Sequence, residues 1–511
     1  MATTLGFKNI IDLPTWRPNS PAPVATAAGG CCAYDKRNSE RNAPLNYYLS
    51  SATGLHAYLP HNDEWMSLAS PALTATFGAG SNCVFHPTAG PRGTIATGGT
   101  TTQFTLTTAL PAAVAVNQLA NRGDGEGFWI RVINNASGSA GRTEARKIIA
   151  NTAGTTPTIT VDSAFTSAPI LGDAYEIRSG RLFMLSGGVT AAGSWKFYDC
   201  ATNSFSINLA TTNLPATIAG DSQLVALSEG HIPNDATVSA GFLGNITATA
   251  SSGTTITGSA MPAALAANEY RNFQVRIVTD TTTPTAVGQR RRISSHTSGA
   301  TGVFTVAAWA VTPSSNATFV IENDDDKILL FTNQTTVYNY NITANTWDTS
   351  TWAAAAAARG AGTVCDQAFG IVPDPANRYA RHSNIFSVRG GGVNIVDVFD
   401  IAGAATGAWS ADIVYGQKAQ TFTTGTCGAY DAVTNGGKYL YLQLNGGQRY
   451  MRFDVLNRVL EPFAYLRYTH STATVGSKMH MAFFIDGSTK LAFLYSIRQT
   501  GTEQFSVALQ R

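Results

Sequence analysis

The side chains that could do chemistry in this sequence are eight histidines, six cysteines, an arginine run and an acidic run. His56, His61, His86, His231, His296, His382, His470 and His480 are scattered, with no His-x-Glu, His-Glu-x-x-His or paired spacing that would turn two ligands onto one face. They read as exposed or structural groups. The cysteines contain no Cys-x-x-Cys pair, and six in 511 residues are too few for a disulfide framework. Cys31-Cys32-Ala33-Tyr34-Asp35, Cys427-Gly428-Ala429-Tyr430-Asp431 and Cys365-Asp366-Gln367-Ala368-Phe369 share a local context, so these cysteines read as small core residues of equivalent strands. No catalytic set, metal site or cofactor is expected, and the chain reads as non-enzymatic.

The charged runs are the next candidates. Arg290-Arg291-Arg292, with Arg146 and Lys147 near the equivalent place upstream, makes a small basic edge. It could meet an acidic partner or a DNA backbone. Charges guarding a strand edge against aggregation explain it equally well. Glu322-Asn323-Asp324-Asp325-Asp326-Lys327 clusters carboxylates without the spaced ligands of a Ca²⁺ loop, and reads as a solvated junction. With 13% charged residues and a formal charge of +2, there is no global electrostatic case for nucleic acid or membrane binding. The N-terminal residues lack the basic and apolar regions of a secretory signal, and no window nears 18 apolar residues, so a soluble, cytosol-made chain without membrane insertion is expected.

The elements that would carry these residues are strands. Forty-eight glycines, 44% hydrophobic and 10% aromatic residues describe a turn-rich all-β chain able to build a core. A repeat of two strands, a Tyr and a later aromatic recurs: Tyr47-Tyr48-Leu49 with Tyr58 and Trp65; Leu182-Phe183-Met184-Leu185 with Tyr198 and Phe205; Ile328-Leu329-Leu330-Phe331 with Tyr340 and Trp347. Looser copies run from Ile385 to Phe399 and Trp409, from Tyr439 to Tyr450, Phe453 and Leu460, and from Leu491 to Phe505-Ser506-Val507. The last four begin at 328, 385, 439 and 491, spacings of 57, 54 and 52 residues.

Earlier spacings are longer because two segments are inserted, and those segments are duplicates. Phe128-Trp129-Ile130-Arg131 matches Phe273-Gln274-Val275-Arg276, and Arg146-Lys147-Ile148 matches Arg291-Arg292-Ile293, both at an offset of 145. Alternating apolar residues such as Ile159 and Val161, or Phe304 and Val306, predict half-buried strands. Each insert is expected to be a small β-barrel or sandwich. The expected order is repeat scaffold over 1–91, first insert over 92–180, scaffold over 181–243, second insert over 244–323, and scaffold over 324–511.

The repeat units resemble kelch repeats, whose mark is a Gly-Gly doublet, a Tyr, and a Trp about seven residues on, with a period near 50. Gly187-Gly188, Gly390-Gly391-Gly392 and Gly446-Gly447 supply the doublet; the units at Tyr47 and Ile328 have Ser51-Ala52-Thr53-Gly54 and Asn333-Gln334 instead. The resemblance implies a β-propeller of about six blades closed by both termini, with Tyr58, Trp65, Tyr198, Phe205, Tyr340, Trp347, Phe399, Trp409 and Phe453 as blade-core aromatics. Some kelch propellers are copper radical oxidases; no Tyr-Tyr-His-His set is marked here. The charge-poor Ala/Thr/Gly/Ser style with embedded β-domains resembles tailed-bacteriophage virion proteins, tail nozzle-type proteins among them. That implies a homo-oligomeric ring in the virion, made in the host cytoplasm, contacting other tail or neck proteins and passing DNA without sequence specificity. A receptor- or glycan-binding propeller is the alternative, and a kelch-type enzyme the second.

Overall fold

A computed structural model describes residues 16–25, 28–34, 46–60, 62–73, 77–96, 98–121, 127–132, 144–165, 167–227, 245–261, 265–367, 383–410, 413–414, 421–431, 437–444, 449–465, 478–486, 489–497, 502 and 504–509. Among these there is no α-helix, only a 3-10 turn at Pro284–Ala286. Six sheets of four principal strands each account for the repeats, and every pairing is antiparallel.

Sheet 1 comprises Cys31–Tyr34, Asn46–Ser51, Gly54–Leu59 and Glu64–Ser67. Sheet 2 comprises Asn82–His86, Arg181–Leu185, Trp195–Asp199 and Ser204–Phe205; sheet 3, Gln223–Ala226, Lys327–Phe331, Val337–Asn341 and Thr346–Asp348. Sheet 4 comprises Val364–Gln367, Asn384–Val388, Ile395–Asp400 and Ala408–Trp409, with Ile413–Val414 also on its third strand. Sheet 5 comprises Cys427–Tyr430, Tyr439–Gln443, Arg449–Asp454 and Val459–Tyr465. Sheet 6 takes Lys478–Asp486, Thr489–Ile497 and Gln504–Leu509 from the C-terminal part, and its fourth strand, Arg17–Asn19, from the N-terminal part.

The first strands of the six sheets neighbour one another in a closed cycle, sheet 6 returning to sheet 1. A hydrophobic cluster lies between each consecutive pair of sheets. This explains why the second strands are apolar runs rather than alternating ones. With both faces covered, Leu182 to Leu185, Ile328 to Phe331 and Asn384 to Val388 are buried at every position.

The Tyr and the later aromatic of each repeat are direct cross-strand partners on the third and fourth strands: Tyr58 with Trp65, Tyr198 with Phe205, Tyr340 with Trp347, and Phe399 with Trp409. Their ring centroids lie 4.9, 5.3, 5.1 and 4.9 Å apart. Phe453 pairs likewise with Leu460. Two residues before the fourth-strand partner the backbone turns left-handed, at Asp63, Asn203, Asn345 and Arg458 (φ 54, 48, 50 and 56°), with Gly407 (φ 70°) taking that place in sheet 4. Asp and Asn suit the position because their short polar side chains tolerate that region. Here they also accept the tyrosine hydroxyl, at 2.7 Å for Tyr58 to Asp63, 2.5 Å for Tyr198 to Asn203 and 2.8 Å for Tyr340 to Asn345. The spacing of the repeat is thus fixed by one turn and one hydrogen bond.

The inserts replace the connection between first and second strands in sheets 2 and 3. The second is a closed six-stranded barrel of Ile246–Ser251, Thr255–Gly258, Gln274–Thr279, Arg290–His296, Gly302–Val306 and Thr318–Glu322. The first has the same strand order over Arg92–Thr94, Gln103–Thr105, Trp129–Val132, Ala145–Asn151, Thr158–Val161 and Ala174–Arg178. Its sixth seam is held by one bridge, Ile95 to Leu106, instead of a ladder. The fourth strands even share a bulge, between Ile148 and Ala150 and between Ile293 and Ser295.

Replacing Asn345 with Ala removes the acceptor of the Tyr340 hydroxyl and puts a Cβ-bearing residue without a polar side chain at positive φ. It should cost about 1–2 kcal/mol in thermal or urea unfolding, and Asn345→Gly less, since glycine restores the backbone alone.

Candidate functional site

Two places concentrate polar chemistry. The first is the axis, where the six first strands enclose a cavity of about 110 Å³. Its position follows from the lead-in to each first strand, where loops of neighbouring sheets touch backbone to backbone. Gly362 (φ 85°) sits against the Thr423 carbonyl, where a Cβ has no room. The loops are then tied across sheets: the Asp221 carboxylate accepts the Gly362 N–H at 2.5 Å, Asn82 Nδ2 donates to the Ser222 carbonyl at 2.8 Å, and the Ser222 hydroxyl donates to the Gly80 carbonyl.

Five of the six cysteines, Cys31, Cys32, Cys83, Cys365 and Cys427, line this cavity with Lys478 and Asp221. All are free thiols. Cys365 is 3.1 Å from the Ser387 hydroxyl, and the Cys427 thiol donates to Gln443 Oε1 at 3.6 Å. Burial pushes the thiols of Cys32, Cys83 and Cys365 up, the last to about 12. Burial opposes the Lys478 ammonium most strongly, but the Asp221 carboxylate and the sulfurs of Cys31, Cys427 and Cys32 together raise Lys478 above its ordinary value. Among the described residues no histidine lines the cavity.

The second place is the base of the inserts. Burial alone would raise Glu176, but the guanidinium groups of Arg92, Arg131 and Arg178 hold it well below the carboxylate range. They stand 2.8, 2.9 and 4.0 Å away. Glu322 is the equivalent residue in the second barrel. Burial opposes its charge too, and Arg276 and Arg290 bring it down to about 2. Arg276 Nε donates to it at 2.6 Å, and Arg290 bridges it at 3.2 Å to Asp325 at 2.7 Å. Arg92 reaches Asp326 at 3.7 Å and the Thr343 hydroxyl at 2.9 Å, both on the sheet 3 side. The acidic run is therefore not a solvated junction: Glu322, Asn323 and Asp325 are buried, and the carboxylates of Glu322 and Asp325 neutralise the guanidinium groups of Arg276 and Arg290.

The basic edge does not form one exposed patch. Arg146 and Arg291 hold equivalent internal places, donating to the carbonyls of Ala164 and Ala308 and lying over Phe165 and Trp309. Lys147 lies 5.9 Å over Trp129. Arg292 donates to Asn272 Oδ1 at 2.8 Å and lies over Trp352, while Asn272 Nδ2 donates to the Ile401 carbonyl at 2.6 Å, which docks the second barrel on sheet 4. The blade-core aromatics do come together, each within the cluster that separates its sheet from the preceding one.

The described histidines are all buried. His56 lies between Ser50 and Ser67, His86 accepts the Ala89 N–H, and His296 accepts the Tyr270 N–H. His480 packs where sheet 6 meets sheet 1, stacked on Tyr495 at 4.9 Å, edge-on to Tyr58 and 2.7 Å from Asn46 Nδ2. His61, His231, His382 and His470 lie outside the described residues. Among the described residues no three His, Cys, Asp or Glu side chains gather as a metal site, and no helix is long and apolar enough to cross a membrane. Sequence reasoning read the first strands at Cys31, Cys365 and Cys427 but missed those at Asn82, Gln223 and Lys478 and the lead-in loops, for which the signal was a glycine before a small polar residue at Gly80-Ser81, Gly220-Asp221-Ser222, Gly362-Thr363 and Gly425-Thr426.

No protein-family model matches the chain, and no curated protein matches it. Among solved structures it is similar to a chain in one titled "Crystal Structure of Mitotic Checkpoint Complex", at 8% identity and a TM-score of 0.32, covering 98% of this chain and 92% of that one. A likeness of that size carries no argument.

Two outcomes follow from these environments. Burial lowers His480 from 6.5 to about 3. The unfolded chain therefore takes up a proton below 6.5 that the folded one refuses, and stability falls as pH drops, by up to about 1.4 kcal/mol per unit from this group. His56 and His296, also lowered, act in the same direction. Glu322 adds to the loss only below its ordinary 4.5. Unfolding curves between pH 4.5 and 6.5 should accordingly be flatter for His480→Gln than for the native chain. Glu322→Gln strands the buried Arg276 guanidinium, Arg290 keeping Asp325, and should cost about 3–5 kcal/mol. Glu461→Gln, which breaks the exposed 2.8 Å pair with Arg452, should cost under about 1 kcal/mol.

Proposed function

We propose that the cycle of six sheets is a kelch-like β-propeller and that the chain is a structural component of a phage virion, a nozzle-like tail or neck protein that assembles into a ring. The observation that carries this reading is the placement of the inserts. Two copies of one barrel replace the same connection in two consecutive sheets, and hydrogen bonds from Arg92 to the Thr343 hydroxyl and from Asn272 to the Ile401 carbonyl tie them to the sheets beside them. A pair of arms held rigidly on one side of a disc suits contact with neighbouring subunits and adjoining layers. Polar side chains elsewhere are committed to packing and turns, which suits a scaffold better than a reaction centre. A DNA contact is left outside the proposal, since Arg146, Arg290, Arg291 and Arg292 are held in internal contacts.

A glycan-binding surface finds less support. The exposed large apolar side chains among the described residues, such as Ile207, Val116 and Leu171, are not aromatic, and stacking on sugars needs aromatic faces.

The proposal is tested by the mass of the purified protein in solution with negative-stain imaging of the same sample. A multimer of defined order is expected. Removal of 92–180 is geometrically permitted, because the chain enters and leaves the first barrel side by side, the Ile177 N–H donating to the Pro91 carbonyl at 2.9 Å. The shortened chain should keep its near-ultraviolet circular dichroism and fail to assemble. Assembly that survives the deletion, or a native chain that stays monomeric with its tail partners present, sinks the proposal.

A further inference from the structure

We propose that Cys31 and Cys83, facing each other across the axial cavity wall, are an oxidation site at which peroxide forms a disulfide that staples sheet 1 to sheet 2. The two residues stand on neighbouring first strands and belong to the same buried cluster between those sheets. Both side chains are buried in that shared cluster, and both line the cavity. The other lining thiols point elsewhere. Cys32, adjacent to Cys31 in the strand, faces the opposite way and packs with Tyr48 and Ile497; Cys365 and Cys427 are bonded to side chains of their own sheets.

The cavity of about 110 Å³ admits a small oxidant. Hydrogen peroxide is little larger than water, whose share of liquid volume is about 30 Å³. One thiolate attacks the peroxide, its sulfur is oxidised to sulfenic acid, and hydroxide leaves as water. The second thiol then displaces the sulfenic oxygen as a second water, so that two thiols and one peroxide give one disulfide and two waters. Lys478 favours the attacking thiolate, since its charge opposes the burial that raises Cys83. The resulting link closes the loop from residue 31 to 83 and joins two sheets that otherwise meet through side-chain packing and loop contacts. The site stands without the virion reading; only its timing rests on it, a chain reduced in the cytosol meeting oxidant after release.

The test treats the full-length reduced protein with dilute hydrogen peroxide in the presence of dimedone, which traps sulfenic acids. The expected result is a mass lower by about 2 Da, a peptide joining residues 31 and 83, and a raised melting temperature, with no dimedone at either position. In Cys83→Ser the cross-link is lost and Cys31 carries dimedone. Cys200, half-buried and away from the cavity, serves as the internal reference. Free Cys31 and Cys83 after Cys200 has reacted, a dimedone adduct at either in the native chain, or a link to Cys32 or Cys427 instead would each overturn the proposal. The readout is covalent and independent of oligomeric state, so its failure leaves the assembly reading to its own test.

Discussion

Everything in this chain depends on one pairing, that of Arg17–Asn19 with Gln504–Ser506 in sheet 6. Sheets that are apolar on both faces cannot end at water, and a stack of them has two such ends unless it closes on itself. Here the closing sheet borrows its last strand from the other end of the chain, and its face meets sheet 1 through Tyr495, Ala482, Tyr58 and the neutral imidazole of His480. Closing so long a loop has a modest entropic cost, because that cost grows only with the logarithm of length. The seam therefore needs few contacts, but it needs them all in register. A buried histidine without a charged neighbour in hydrogen-bonding contact fits there only while it is neutral.

The inserts show a different balance. Each barrel buries an apolar core built almost wholly from its own residues, to which the scaffold adds Ala402 in the second and Ala201 in the first. Glu176 and Glu322 with their arginines tie strands of one barrel to each other, while orientation falls to contacts that leave the barrels: Arg92 to the Thr343 hydroxyl, Asn272 to the Ile401 carbonyl and Gln118 to the Ala201 carbonyl. Ion pairs this deeply buried contribute little net stability against apolar packing, yet they tolerate only one arrangement of their partners. The arrangement is shared, since Arg92 at the foot of the first barrel reaches Asp326 beside the second. The two barrels thus stand on one charge network. Their difference is in closure: the second has a ladder where the first has a single bridge.

The axis collects what the ring has left over. Six first strands converge there, and small residues at Cys31, Ala33, Cys83, Ala226, Cys365, Cys427 and Gly428 line the cavity beside larger ones such as Tyr34, Phe85 and Met479. A residue chosen for size thereby brings reactive sulfur into a shared cavity. Packing and chemistry meet at Cys31 and Cys83 for that reason alone.

Much of this was legible from local pattern. The 145-residue offset between Phe128 and Phe273 identified two copies of one insert, and the spacing from Tyr58 to Trp65, Tyr198 to Phe205 and Tyr340 to Trp347 is a property of one turn, set by steric limits at Asp63, Asn203 and Asn345. The apolar runs at Leu182 and Ile328 carried the strands that are covered on both faces. The first strands at Cys31, Cys365 and Cys427 shared a readable context, but those of sheets 2 and 3 were not legible, because Asn82–His86 and Gln223–Ala226 are separated from their partner strands by whole barrels, and a ladder to Arg181 or Lys327 leaves no mark in the intervening sequence. The same holds for charge. Arg290 and Asp325 looked like solvated surface because composition cannot say which charges meet; burial against each other is decided by folding, where the low dielectric rewards a pair and penalises either ion alone. Local sterics and periodicity fixed the strands, the turns and the duplication; the cycle of sheets, the charge network and the thiol pair exist only where long-range packing brings distant segments together.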